Sequence, residues 1–171
     1  MKKVIRDGCF ETNSSSMHSV TVRGKYEYNN DRVPMTIDDD GYIGVWTDEY
    51  GWYGDSCDTW YTKLGYAFCM VLITEYPDDV IYDNNAVVDQ EVLEKLQGYQ
   101  TLLAALKEHN SSCKGIYIYR DKGSFYPYGY IDHQSCEDYS SLQEFLDDWN
   151  VDAERYLFDD NVVVMIDNDN H

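Results

Sequence analysis

The run Val162-Val163-Val164-Met165-Ile166, near the end of the chain, is apolar without interruption. Branched side chains favour strands, and a strand that is apolar on both faces is typical of the middle of a sheet. We therefore predict a central strand here. Residues 17–23 alternate with a period of two, which predicts another strand with His18, Val20 and Val22 on one face.

Helical patterns lie between these two strands. Apolar residues at three- and four-residue steps predict a buried helix over residues 56–76, which a proline ends. A second helix is predicted after Asp89, a residue suited to helix capping, and Gly98 interrupts it. Two overlapping capping boxes at residues 140–144 predict a third helix to about residue 149. Another turn or two is predicted over residues 152–158.

The remaining segments are predicted to be short strands and turns. A hairpin is predicted at residues 115–131 around a turn at 121–123, and residues 48–58 are interpreted as an acidic, aromatic loop. Helices and strands follow one another without a regular βαβ rhythm, which favours an α+β fold. We expect a single α+β domain over residues 1–171, with a mostly antiparallel sheet and about three packed helices. Further strands are predicted at residues 2–6, 42–46 and 81–82.

The charge of the chain is strongly negative. It has 13 Lys and Arg against 32 Asp and Glu, for a formal net charge of −19. Such a protein should repel free DNA and RNA, because phosphate binding depends on Lys and Arg. It should be attracted to basic surfaces, such as the grooves of nucleic-acid enzymes.

Cysteine spacing and hydropathy indicate the cellular compartment in which the protein acts. The cysteines are odd in number and scattered, which predicts reduced thiols and neither a disulfide framework nor a zinc site. No apolar run approaches the roughly 18 residues of a membrane span, and no signal peptide is recognised. We expect a cytoplasmic protein without a membrane, metal or cofactor requirement.

Two polar clusters are the candidates for chemistry. The first is the stretch Phe10-Glu11-Thr12-Asn13-Ser14-Ser15-Ser16-Met17-His18-Ser19, in the one part of the chain that is not acidic. The second is Asp132-His133-Gln134-Ser135, directly after the predicted hairpin. The candidate catalytic residues are Glu11, Asn13, Ser14, Ser15, Ser16, His18, Asp132, His133, Gln134 and Ser135.

Three interpretations of these clusters stay open. His18 and His133 could act as general acid and base in metal-independent cleavage of RNA, with Asp132 or Glu11 orienting one ring. A serine could instead be a nucleophile that one of these histidines activates. Alternatively, the Asn, Ser and Thr side chains satisfy loop backbone, and the histidines are hydrogen-bonded core residues.

A separate region combines carboxylates with aromatic side chains. Tyr and Trp are enriched among the residues that dominate protein interfaces, and carboxylates would select a basic partner. We therefore predict a partner-binding surface at residues 48–58. Its members are Asp48, Glu49, Tyr50, Trp52, Tyr53, Asp55 and Asp58.

The two polar motifs resemble those of a family of small proteins from phages and mobile elements of Firmicutes. The matching residues are those of the 10–19 stretch and Ile131-Asp132-His133-Gln134-Ser135, together with Ile166-Asp167-Asn168-Asp169 at the end of the chain. An acidic member of this family is also similar to type II anti-CRISPR proteins, which inhibit RNA-guided nucleases.

The resemblance implies a protein that acts in the host cytoplasm on a bacterial RNA-guided nuclease. It would bind the basic channel for guide RNA or DNA, or interfere with the guide RNA. The leading hypothesis is therefore a nuclease inhibitor with an acidic, aromatic contact surface. An endoribonuclease using the two polar clusters and a non-catalytic phage accessory protein are the alternatives.

Overall fold

The apolar run at residues 162–166 is the middle strand of an antiparallel sheet in the computed structural model of the chain. The residues described are 16–22, 34–51, 55–77, 80, 83, 85–131 and 139–168. The strands are β1 (Ser16–Val22), β2 (Tyr42–Val45), β3 (Glu49–Tyr50), β4 (Asp55–Cys57), β5 (Gly115–Ile118), β6 (Tyr130–Ile131) and β7 (Val162–Asn168). The helices are α1 (Trp60–Thr74), α2 (Gln90–Leu93), α3 (Gln97–His109), α4 (Leu142–Asp148) and α5 (Ala153–Phe158).

The sheet has β7 between β1 and β4, with both neighbours antiparallel to it. Val162, Val164 and Ile166 are buried, whereas Met165 on the opposite face is 42% exposed. Side chains alternate across a strand, so the apolar run presents one face to the core and the other outward. The prediction of a central strand is confirmed.

Helix α1 is buried along most of its length, from Lys63 to Leu72. A helix that is apolar on all sides belongs in a core, and α1 contacts three other helices and strands of all three sheets. Its predicted start at residue 56 is wrong. Residues 55–57 pair with β7, and the side chain of Thr59 caps the helix by accepting from the Thr62 amide. Pairing with β7 therefore makes residues 55–57 a strand, although their spacing predicted that the helix would begin at residue 56.

The second predicted helix is divided into α2 and α3. Asp89 caps α2 as predicted, and its carboxylate accepts from the Glu91 amide at 2.8 Å. The chain then leaves helical geometry at Leu96, and α3 begins anew. The Glu75 carboxylate accepts from the Gly98 amide at 2.7 Å and so satisfies a backbone donor in the first turn of α3.

The two helices predicted near the C-terminus are confirmed. The Ser141 side chain accepts from the Glu144 amide, while the Glu144 carboxylate accepts from Ser140. Glu75 also accepts from the Leu142 amide at 3.2 Å, so one carboxylate joins the starts of α3 and α4. Asp152 caps α5.

The predicted hairpin at residues 115–131 is wrong. Strand β5 pairs in parallel with β2, and β6 pairs in parallel with β3. The intervening loop instead closes on itself, with the Asp121 amide donating to the Pro127 carbonyl at 2.9 Å. The interpretation of residues 48–58 as a loop is also wrong. This segment contains β3, which pairs with β6, and β4, which pairs with β7.

The α+β class is confirmed, with helices and strands around one contiguous core of buried side chains. The antiparallel sheet is β1-β7-β4, and the parallel pairs β2-β5 and β3-β6 are two further sheets of two strands each. The strands predicted at residues 2–6 and 81–82 lie outside the described residues.

Candidate functional site

The ten catalytic candidates fall mostly outside the described residues. Ser16 and His18 lie in β1, with Asn168 and Ile166 as their register partners in β7. The hypothesis of a shared histidine site therefore stays a prediction. The candidates outside the described residues are Glu11, Asn13, Ser14, Ser15, Asp132, His133, Gln134 and Ser135.

The predicted partner-binding residues occupy different environments. Asp48 and Glu49 are exposed, and Asp58 is half-buried. Tyr50 is only 7% exposed and belongs to the core, where burial raises the pKa of its phenol well above the ordinary value. It is thus not available as a surface anchor. Asp55 lies in β4, and Trp52 and Tyr53 are outside the described residues.

The parallel strand pairs bring two aromatic-rich segments of the sequence together. In the β2–β5 register, Val45 lies opposite Ile118, so the next residues along, Trp46 and Tyr119, also become neighbours. Their rings stack with centroids 4.6 Å apart and planes inclined by 19°. Trp46 nevertheless remains 51% exposed. The stacked pair is therefore a surface feature.

The backbones of both stacked residues are fixed by hydrogen bonds. The Trp46 amide donates to the hydroxyl of Tyr61 on α1 at 3.1 Å, and that hydroxyl donates to the Gly44 carbonyl at 3.1 Å. The Tyr119 amide donates to the Val45 carbonyl at 2.9 Å. These bonds hold the ends of β2 and β5 against each other and against α1.

Gly44 is required for the position of the tyrosine rings. A Cβ atom at this residue would lie 2.5 Å from Cε2 of Tyr119 and 2.7 Å from the hydroxyl of Tyr117. Such distances are inside van der Waals contact, so any side chain here would displace the rings. Glycine in β2 is explained by this close approach.

A cleft of about 590 Å³ opens beside the stacked pair. We call it the acidic aromatic cleft. It lies between residues 46–49 and the loop after β5, and no Lys or Arg is among its described lining residues. Those residues are Trp46, Thr47, Asp48, Glu49, Tyr119, Asp121, Gly123, Ser124, Tyr126, Pro127 and Gly129.

Three carboxylates line this cleft, and each accepts one local hydrogen bond. Asp48 accepts from the Glu49 amide at 2.8 Å, and Glu49 accepts from the Ser124 hydroxyl at 2.8 Å. Asp121 accepts from the Gly123 amide at 2.8 Å. These bonds orient the side chains, and a neutral amide of the same shape could accept each of them.

A tyrosine pair adjoins the cleft. The hydroxyls of Tyr117 and Tyr119 are 2.6 Å apart. This hydrogen bond, followed by desolvation and the proximity of Tyr119, raises the pKa of Tyr117 to about 12. Tyr117 is therefore neutral at physiological pH, and its hydroxyl helps to hold the ring of Tyr119 in place.

The described surface as a whole is predominantly acidic, although Arg120 and Lys122 line a pocket that adjoins the cleft. Its exposed basic side chains are Lys95, Lys107, Lys114 and Lys122. Exposed acidic side chains are far more numerous: Asp38, Asp39, Asp40, Asp48, Glu49, Asp83, Asp89, Glu91, Glu108, Asp121, Glu144, Asp147, Asp148 and Asp152. The negative charge expected from the composition is therefore carried by exposed side chains on the described surface.

Two other site classes receive no support from the described ranges. No group of three or more His, Cys, Asp or Glu side chains there converges as a metal site. No helix there is long and apolar enough to cross a bilayer. Comparisons with protein-family models, curated proteins and solved structures find no match.

Sequence reasoning identified Asp48 and Glu49 but missed the other half of the cleft. Tyr119, Asp121 and Tyr126 lie far along the chain, in the segment interpreted as a hairpin. Their aromatic density was a visible signal. The sequence did not reveal that β5 pairs with β2 and that β6 pairs with β3. These two pairings bring the distant segments together.

Proposed function

We propose that this protein is a counter-defence inhibitor that binds a basic surface of a bacterial RNA-guided nuclease through the acidic aromatic cleft. The observation that carries the proposal is the exposed Trp46–Tyr119 stack beside three carboxylates. It acts in the bacterial cytoplasm, where such nucleases meet phage and mobile-element DNA.

The stacked pair has the properties of an interface anchor. Large aromatic side chains bury much apolar area at small entropic cost, and they dominate binding energies when desolvated. Trp46 is half exposed, yet its backbone is already fixed by the hydrogen bond to Tyr61. Little conformational entropy is therefore lost when a partner binds. A partner that covers this pair gains hydrophobic contact area without reorganising β2 or β5.

The carboxylates determine which kind of partner binds. Asp48, Glu49 and Asp121 place negative charge in the cleft, and the net charge of −19 attracts basic surfaces over longer range. Nucleic acid is repelled by the same field. The channel of an RNA-guided nuclease is basic because it holds a guide–target duplex by its phosphates, which makes it a complementary partner.

The test uses purified type II RNA-guided nucleases, each with and without guide RNA. DNA cleavage is measured against increasing concentrations of this protein, and binding is measured by calorimetry at several salt concentrations. We expect inhibition that weakens as salt rises, with guide RNA remaining intact. Absence of binding to every nuclease in both states would refute the proposal.

A further inference from the structure

We propose that the acidic aromatic cleft receives an arginine side chain of the partner, with the guanidinium stacked on Trp46 and paired with Asp48 and Glu49. This inference rests on the proposed function in that the arginine belongs to the basic channel of the nuclease. It goes further, because it names the chemical group that the cleft selects.

Trp46 presents one open face to a ligand. One face of its indole is covered by Tyr119, since the two planes are inclined by only 19°. The residue is nonetheless 51% exposed, and the face opposite Tyr119 is the one that a ligand can cover. A flat cation can stack on an open indole face, and tryptophan is the best aromatic residue for this interaction.

Two carboxylates lie close to Trp46 in the sequence and line the same cleft. Asp48 and Glu49 follow Trp46 by two and three residues, and all three line one cleft. A guanidinium is planar and carries five donors in a fixed fork, so it can stack and form paired hydrogen bonds at once. A lysine ammonium is a compact, strongly hydrated charge that can lie over an indole but cannot stack as a plane or form the paired hydrogen bonds of a guanidinium. The combination of an indole face and carboxylates therefore selects arginine over lysine.

The side chains of the cleft are preorganised by hydrogen bonds. Trp46 is tied to Tyr61 through its amide, and Glu49 is oriented by the hydroxyl of Ser124. Tyr119 is held by the Val45 carbonyl and by the Tyr117 hydroxyl. Groups already held in position lose little freedom when a ligand arrives, so more of the interaction energy appears as affinity.

An unpaired nucleic-acid base is the other flat group that could stack on Trp46. Bases come with phosphates, however, and Asp48, Glu49 and Asp121 would face that backbone. Carboxylates next to phosphates repel, so charge favours the arginine. A single-stranded oligonucleotide therefore serves as the competing ligand in the test.

The experiment compares a hexa-arginine peptide with a hexa-lysine peptide of equal charge, both titrated into the full-length protein at about 0.15 M salt. We expect the arginine peptide to bind about tenfold more tightly. Trp46→Ala should reduce its affinity to that of the lysine peptide, whose own affinity should hardly change. A single-stranded oligonucleotide should not bind.

A matched variant controls for the loss of an exposed aromatic ring. Phe125 is 66% exposed and does not line this cleft, so Phe125→Ala should preserve the preference for arginine. If Trp46→Ala fails to fold by circular dichroism, Trp46→Phe replaces it and should lower the preference while leaving the lysine peptide unaffected. Equal affinities for the two peptides, a preference that survives loss of the indole, or binding of the oligonucleotide would each overturn the inference.

The two proposals fail in different ways. Arginine preference in the peptides without nuclease binding would remove the proposed function and leave the cleft as an arginine site. Nuclease inhibition without arginine preference would retain the proposed function and remove this inference alone.

Discussion

Trp46 and Tyr119, 73 positions apart in the sequence, stack with their ring centroids 4.6 Å apart. The contact follows from the parallel pairing of β2 with β5, which ends with Val45 opposite Ile118. It turns two aromatic segments of an acidic chain into one surface.

Neutralising the cleft carboxylates should weaken nuclease binding. The triple change Asp48→Asn, Glu49→Gln and Asp121→Asn removes three charges but keeps an acceptor for each local hydrogen bond. We expect affinity to fall at least about tenfold at low salt. Calorimetry with the guide-loaded nuclease measures this change.

The matched control removes three charges elsewhere, with Asp39→Asn, Glu91→Gln and Glu108→Gln. These residues are exposed and do not line the cleft. The affinity of the control for the nuclease should fall only slightly, because it loses only long-range electrostatic attraction. Equal losses in both triple variants would show that net charge alone governs binding.

Gly44→Ala should disturb the stacked pair. The added methyl group would collide with the outer ends of the Tyr119 and Tyr117 side chains. Because these side chains are partly exposed and can shift, the loss of unfolding free energy should be at most about 1 kcal/mol, the lower end of the cost of overpacking a core. Urea denaturation measures the loss, and nuclease binding should weaken with it. Gly123→Ala is the control for the stability measurement alone, because its nearest contact would be an ordinary 3.4 Å to Asp121 and the residue itself lines the cleft.

Glu75→Ala should destabilise the helical part of the core. The carboxylate accepts from the amides of Gly98 and Leu142, in the first turns of α3 and α4. Loss of such a capping acceptor costs about 1–3 kcal/mol. Urea denaturation should show this loss, while Glu75→Gln, which retains an acceptor oxygen, should lose less. Equal stability of the alanine variant and the parent would contradict the capping role.

Titration of Tyr117 should depend on Tyr119. The pKa of Tyr117 is raised to about 12 from an ordinary value of 10, chiefly by the hydrogen bond to Tyr119. A raised pKa means that the neutral phenol is favoured in the folded state. The associated stability is complete below about pH 10 and is lost as the pH rises through about 12.

Tyr119→Phe removes this hydrogen bond and should lower the pKa of Tyr117 toward 10. Nuclear magnetic resonance of isotope-labelled tyrosine rings follows the titration directly. Tyr126→Phe, a change at another aromatic residue of the cleft, should leave the Tyr117 titration unchanged. A Tyr117 midpoint that does not move in the Tyr119 variant would disprove the coupling.

Nuclease inhibition should survive His18→Ala and His133→Ala. Binding through the cleft requires neither imidazole, whereas cleavage of guide RNA by a histidine pair would require both. Gel analysis of the guide RNA over time, in parallel with the DNA cleavage assay, separates the two mechanisms. Shortened guide RNA with the parent protein, abolished by either substitution, would favour the ribonuclease.

Local signals in the sequence were sufficient for the central strand and for most helix starts, but not for β3, β4 or the start of α1. The branched run at residues 162–166 specified a central strand, and Asp89, Ser141 and Asp152 specified helix starts. Such signals act within a few residues, through backbone preference and capping hydrogen bonds. They indicated an α+β fold and the acidic surface, including Asp48 and Glu49.

Only the tertiary structure decided which strands pair and which aromatic rings are exposed. A period of two identifies a strand but not its partner, so β5 and β6 could be interpreted as a hairpin until they were seen beside β2 and β3. The same pairing buries Tyr50 and leaves Trp46 half exposed. Strand pairing depends on contacts between residues that are distant in the chain, and a local sequence pattern does not contain this information. The sequence by itself determined several helices and strands and the acidic charge. Long-range packing determined the cleft.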